Sequence, residues 1–258
     1  MKFRPCIDIH NGTVKQIVGG SLQDQGNQAK DNFVSEYDAS FYAEMYRKDG
    51  LTGGHIILLN PKDSEFYEKD VWQAKEALQA FPKGLQIGGG IDVRNAERFL
   101  DMGASHVIVT SYVFQQGKIH KDRLQALSDL VGKEHLVLDL SCRFMTEKNE
   151  YYIVTDRWQK MTDQAFCEET LAELADYCDE FLIHAVDVEG KASGVEKEVI
   201  RRLGDWQASP VTYAGGIHSR QDIDFIREAG KGHVDYTVGS ALDLFGGTIP
   251  YRELCLLT

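Results

Sequence analysis

Three observations predict an α/β chain, a (β/α)8 TIM barrel built from two repeated half-barrels. Eight short apolar runs alternate with helical segments along 258 residues. The runs are continuous rather than alternating, which suits parallel strands buried on both faces. The stretch QIGGGIDVR at 86–94 returns as TYAGGIHSR at 212–220. Gly89 then sets on Gly215, Gly90 on Gly216, Ile91 on Ile217, Arg94 on Arg220 and Phe99 on Phe225, at one constant offset. A fixed-offset repeat constrains architecture before any local signal does. Two four-unit halves, about 1–123 and 124–258, close into one eight-unit domain spanning 1–258. An open doubly wound sheet is the structural alternative, and the half-chain repeat favours the barrel.

Taken in order, PCIDIH (5–10) predicts a short buried strand that ends on a carboxylate. VKQIVGG (14–20) reads as a strand or hairpin arm running into glycines. Residues 21–36 are polar and patternless, which predicts a long mobile loop. A helix over 35–50 ends at Gly50. HIILLN (55–60) is the second core strand. The helix over 66–81 has Trp72, Ala74, Ala77, Leu78 and Phe81 as its apolar positions. LQIGGG is strand three, NAERFLDMGA helix three, HVIVTS (106–111) strand four and 121–132 helix four. HLVLDLS (135–141) is the fifth apolar run and carries Asp139. Residues 143–165 break the rhythm with an inserted β-hairpin arm. A helix over 167–178, strand six at 180–187 and a glycine-punctuated loop at 188–194 follow. A sixth-unit helix, strand seven (SPVTYAGG), helix seven (RQDIDFIREAG) and strand eight (234–242) complete the chain.

Composition narrows the function classes. Hydrophobic content of 43% and charged content of 26% are those of an ordinary globular protein. A net charge of −12 argues against nucleic acid or an anionic membrane as partner. It leaves room for an anionic small molecule, because helix-start N–H groups bind phosphate whatever the global charge. Five cysteines without CxxC spacing suggest reduced thiols in a cytoplasmic protein, with neither a disulfide framework nor a metal site. No signal-peptide pattern and no membrane-length apolar run is expected.

In such barrels the chemistry sits at the C-terminal strand ends. Asp8 ends strand one, and Asp139 takes the equivalent place in strand five. A lone strand-end Asp could equally cap the next helix or pair with a lysine. Two at repeat-related positions favour a functional pair suited to general acid and general base work. Gly89 and Gly90 with Thr110 and Ser111 form one candidate phosphate cradle. Gly215 and Gly216 with Gly239 and Ser240 form the other. Glycine lets the backbone approach phosphate oxygens, and hydroxyls and helix N-termini complete such a cradle. Two repeat-related cradles imply a ligand with a phosphate at each end.

CIDIHNGTVKQIVGG, QIGGGI, VIVTS, LDLS, VEGKASG, YAGGI and VGSAL, as an ordered set over the whole chain, resemble one family. It is the ProFAR isomerase family of histidine biosynthesis, which isomerises phosphoribosylformimino-aminoimidazole-carboxamide ribotide. The spacing looks most like the eukaryotic branch. The resemblance implies a barrel and a bisphosphate substrate. It also implies an Amadori rearrangement of an aminoaldose to an aminoketose without metal or cofactor. A monomer acting on a small bisphosphate is expected. By similarity Asp8 is the base and Asp139 the acid; the residues alone leave the two roles open. Trp158 sits where the family places an indole that stacks on the imidazole. Gly19 and Gly20 match the mobile glycine of the first active-site loop, and His55 resembles a strand-two histidine.

Three departures stand out. The family's strand-six Thr and following Asp-Gly read His184 and Glu189-Gly190 here, so His184 could share in proton transfer or orient Asp139. The bacterial pattern has an arginine directly after GGGI, where this chain has Asp92, with Arg94 two residues on. Strand two carries Leu58 where Asp is usual. Two alternatives compete: the cyclase subunit of imidazole glycerol phosphate synthase, which shares the half-barrel repeat and needs ammonia, and a non-catalytic phosphosugar-binding barrel.

Overall fold

The computed structural model describes residues 1–17, 31–156, 158–188 and 194–257. Gly19, Gly20, Glu189 and Gly190 therefore lie outside the described residues. The chain divides into an N-terminal unit, Phe3–Ile108 with Thr237–Thr258, and a central unit, Val109–Tyr236 with Met1–Lys2.

The N-terminal unit holds β1 (Cys6–His10), β2 (Thr13–Ile17), β3 (Asp31–Val34), β4 (Gly54–Leu58), β5 (Leu85–Gly88) and the start of β6 (Val107–Val109). β1, β4, β5 and β6 are parallel neighbours in chain order. The apolar runs produce these strands because both faces are covered, and Ile7, Ile9, Ile56, Ile87 and Val107 are fully buried. Helices α1 (Ala39–Lys48), α2 (Tyr67–Ala80) and α3 (Ala96–Asp101) connect them. Two expectations need correction. Residues 31–34 are a strand paired to β2, with Lys15 opposite Val34 and Gln16 opposite Phe33. Trp72 is 53% exposed. The buried stripe of α2 is Val71, Ala74, Ala77 and Leu78, and Trp72 stands one residue off that helical period.

A buried polar cluster fixes the turn between β1 and β2. Asn11 and Gly12 both take positive φ, 53° and 76°, as a two-residue hairpin turn requires. The Gly12 N–H donates to Asp70 Oδ1 at 2.6 Å and the Asn11 N–H to Asn60 Oδ1 at 2.7 Å. Gln73 Nε2 donates to the Gly12 carbonyl at 3.2 Å. Asp70 is fully buried, and its Oδ2 finds no hydrogen-bond partner among the described residues. Burial raises its pKa to about 6, against the lowering pull of the Gly12 and Asn60 N–H groups.

The central unit holds a short hairpin, β7 (Phe114–Gln115) and β8 (Lys118–Ile119), then β9 (Leu136–Met145), β10 (Glu150–Thr155), β11 (Lys160–Ala165), β12 (Glu180–Ala185), β13 (Val211–Ala214) and β14 (Val234–Tyr236). β9, β12, β13 and β14 are parallel neighbours, again in chain order. Helices α4 (Lys121–Val131), α5 (Glu168–Ala175), α6 (Lys197–Asp205) and α7 (Arg220–Ala229) connect them. The insert is larger than one hairpin arm. β9 runs on to Met145 and pairs antiparallel with β10, and β10 pairs with β11. Strand eight is shorter than expected and stops at Tyr236. Ser219 starts α7 with a capping box. Its hydroxyl accepts from the Asp222 N–H, and the Asp222 carboxylate accepts from the Ser219 N–H. Such a cap is worth about 1 kcal/mol.

β5 leads into Gly89 and Gly90, with φ of 103° and 68°. A Cβ on Gly89 would lie 2.1 Å from the Leu58 carbonyl oxygen, whereas one on Gly90 would meet the flexible Lys62 stem at 3.2 Å. Gly89→Ala should therefore cost roughly 2–4 kcal/mol or prevent folding, and Gly90→Ala about 1 kcal/mol, in a denaturant titration.

Asp70 gives a pH prediction with a definite sign. Its folded pKa of about 6 exceeds the ordinary 3.8, so the folded chain binds the extra proton and stability falls as pH rises from 4 to 6. Asp70→Asn should gain on the parent by about 1–3 kcal/mol between pH 4 and pH 7. Unfolding midpoints across that range check this, and a gap that does not change with pH would contradict it.

Candidate active site

In β1 every residue is buried except Asp8, which is partly open. The same holds for Asp139 over residues 136–142 of β9. A charge inside a two-sided buried strand is costly unless donors meet it, so each carboxylate should carry partners.

In the N-terminal unit, Gln16 Nε2 donates to Asp8 Oδ2 at 2.9 Å. Gln16 is buried on β2, directly after the turn held by Asp70. Gly239 packs against it: a Cβ there would lie 2.6 Å from Gln16 Oε1. Gly239 thus makes room for the amide that orients Asp8, and Ser240 beside it is exposed. The Gly89–Gly90 turn crosses the end of β4 at Leu58, the position where the resemblance led to an acid. Leu58 is buried. His55 on β4 is buried as well.

In the central unit, Asp139 is held from both sides. Thr110 donates through Oγ1 to Asp139 Oδ2 at 3.1 Å, and His184 Nδ1 lies 2.7 Å from Oδ1. Two lone pairs would repel at that distance, so a proton sits between imidazole and carboxyl. Both side chains keep solvent access, 14% for Asp139 and 23% for His184. Ser111 is exposed next to Thr110. Ser141 lies two residues beyond Asp139, on the same face of β9. Its hydroxyl accepts from Trp158 Nε1 at 3.0 Å. The indole is thereby tied to the strand face that carries Asp139.

Trp158 takes φ of 68°, a left-handed conformation rare for a bulky residue. Arg143 stabilises it by donating to the Trp158 carbonyl at 3.0 Å. The same arginine pairs with Asp187 at 3.3 Å, at the start of the loop after β12. Gly215 and Gly216 also take positive φ. A Cβ on Gly216 would lie 2.1 Å from the Gly194 carbonyl oxygen, so this glycine lets the two loops touch. Next in the chain, His218 pairs with Asp222 at 2.9 Å.

Reasoning from the sequence missed Gln16, Arg143 and Asp187. Gln16 stood inside the quoted VKQIVGG stretch, and its alternation with Val14 and Lys15 carries no catalytic signal. Arg143 and Asp187 lie far apart in sequence and meet through the unforeseen extension of β9.

The family model described as histidine biosynthesis protein matches residues 2–249. Three relatives carry the name 1-(5-phosphoribosyl)-5-((5-phosphoribosylamino)methylideneamino) imidazole-4-carboxamide isomerase. The one from Medicago truncatula, named HISN3 and chloroplastic, is 49% identical over 98% of this chain and 80% of its own length. The Yarrowia lipolytica protein is 45% identical over 95% and 93%. The Saccharomyces cerevisiae protein is 41% identical over 98% and 96%. The chain belongs to the histidine biosynthesis protein family, and its fold class is that family's (β/α)8 barrel.

Proposed function

We infer that this chain is an isomerase of histidine biosynthesis that converts ProFAR to its phosphoribulosyl isomer PRFAR. The observation that carries the reading is the shared isomerase name of relatives at 41–49% identity over nearly the whole chain. The reaction is an internal aldose–ketose rearrangement. An acid protonates the ribose ring oxygen, and the ring opens to a Schiff base. A base removes the C2 proton, and the resulting enolamine tautomerises to the ketone. Every proton taken up is returned, so no co-reactant is consumed.

Asp8 serves as the base and Asp139 as the acid. The partners support this division. A carboxamide N–H donates to Asp8 and cannot take the proton back, which keeps the carboxylate an acceptor. Asp139 shares a proton with His184, a group able to accept and release one. Trp158 offers the flat face for the imidazole carboxamide. The glycine turns at 89–90 and 215–216, with Thr110, Ser111, Gly239 and Ser240, hold the phosphates. Gly19, Gly20, Glu189 and Gly190 contribute from the loops. Among the described residues no helix is long and apolar enough to cross a membrane. The reading extends to a cytoplasmic protein, on five cysteines without CxxC spacing, and to a monomer.

Incubation of the purified chain with ProFAR and no ammonia should yield PRFAR; a requirement for ammonia would point to the cyclase. Asp8→Asn and Asp139→Asn should each lower kcat by roughly 10²–10⁴ while the far-UV spectrum stays unchanged. His184→Ala should lower kcat by about tenfold or more, with a smaller change in KM. Full activity in both Asp→Asn variants would remove the catalytic assignment.

A further inference from the structure

Asp92 stands two residues after Gly90 of the first glycine turn, and a carboxylate there opposes an anionic ligand. Its surroundings reverse that effect. Asp92 is buried, and both oxygens are engaged. Oδ1 accepts the Arg94 N–H at 2.9 Å. Oδ2 accepts from the Arg94 guanidinium at 2.5 Å and lies 2.8 Å from Lys62 Nζ. Burial alone would raise the Asp92 pKa, but the Arg94 and Lys62 hydrogen bonds outweigh it and hold it at about 2. The carboxylate therefore stays charged at any working pH and keeps Lys62 in place.

Lys62 comes from the segment between β4 and α2, and its stem lies over the turn. The atoms nearest to a Cβ built on Gly90 are Lys62 Cε at 3.2 Å, Cγ at 3.3 Å and Cδ at 3.8 Å. The Gly90 carbonyl, which would repel an anion, accepts from Asn95 Nδ2 at 3.1 Å. Asn95 Oδ1 accepts the Asp92 N–H at 2.9 Å, which fixes the turn from its far side. An ammonium has three donors, and Asp92 takes one of them. The Lys62 side chain is 31% exposed, with its stem beside Gly90.

We propose that Lys62, aimed by the buried Asp92, is a specificity-determining ligand for the phosphate held at the Gly89–Gly90 turn. This rests on the bisphosphate substrate of the preceding reading. A lysine acts on phosphate as a point charge, so its loss weakens binding of substrate and transition state alike. Asp92 is a positioning residue with no contact to ligand.

The experiment is a KM-against-kcat comparison of Lys62→Gln and Lys62→Arg with the parent, using ProFAR at two salt concentrations. Lys62→Gln should raise KM on the order of tenfold at low salt and leave kcat within about twofold of the parent. Lys62→Arg should recover most of the loss. The parent KM should rise with salt more steeply than that of Lys62→Gln. Competitive inhibition by inorganic phosphate should weaken in Lys62→Gln by a similar factor. A KM within about twofold of the parent in folded Lys62→Gln overturns the assignment, as does a lowered thermal midpoint with unchanged KM. Parent turnover of ProFAR tests the functional reading separately, because the Lys62 result is a ratio of variant to parent.

Discussion

A carboxylate placed inside a strand that is buried on both faces is the constraint around which each unit is arranged. β1 and β9 satisfy it in the same way, by opening at one residue and supplying donors there. For Asp8 the donor is Gln16, and Gly239 lacks a Cβ so that Gln16 can lie where it does. For Asp139 the neighbours are Thr110, just after β6, and His184 on β12. Neither carboxylate could be kept at a buried strand position on hydrophobic grounds. The local structure is organised to tolerate them.

The two units meet the same demand with different chemistry. An amide has a fixed N–H and no proton to exchange at neutral pH. An imidazole with a shared proton can move it. The repeat makes Asp8 and Asp139 equivalent in position, and their partners make them unequal in surroundings. His184 on β12 therefore does more than fill space, because it brings a second titratable group to Asp139 at 2.7 Å. Beyond it, Arg143 links the Trp158 loop to the loop after β12. The Trp158 indole and Asp139 thus sit on one hydrogen-bonded frame.

Much of this was legible in the sequence, for identifiable reasons. The apolar runs at 5–10, 55–60, 135–141 and 180–187 became strands because continuous burial needs little context beyond length and β-branching. The glycine turns were legible because only glycine fits: at Gly89 and Gly216 a Cβ would strike a carbonyl oxygen at 2.1 Å. Residues 31–34 were not legible. DNFV is short and only half apolar, and its strand state depends on pairing with β2. The extension of β9 to Met145 was missed for the same reason, since Arg143 and Phe144 gain their strand conformation from β10. Trp72 misled because aromatic residues suggest burial, while the helix period places it outside. Partners separated by many residues, such as Asp70 with Gly12 or Arg143 with Asp187, leave no local pattern to read.

The global charge shows why such partners decide function. A chain of net charge −12 repels a bisphosphate at long range, and salt weakens that repulsion beyond about 8–10 Å. Within the turns, distances are shorter than that and individual groups dominate the local field. At the first turn an acidic residue that should oppose phosphate is buried and neutralised by two cations, Lys62 and Arg94. At the second, His218 stands in the repeat-equivalent place and pairs with Asp222, which also caps α7. The two turns share glycines and differ in the charge set beside them. A duplicated scaffold can in this way keep its backbone geometry and tune each end of a two-headed ligand separately, through side chains the repeat does not preserve.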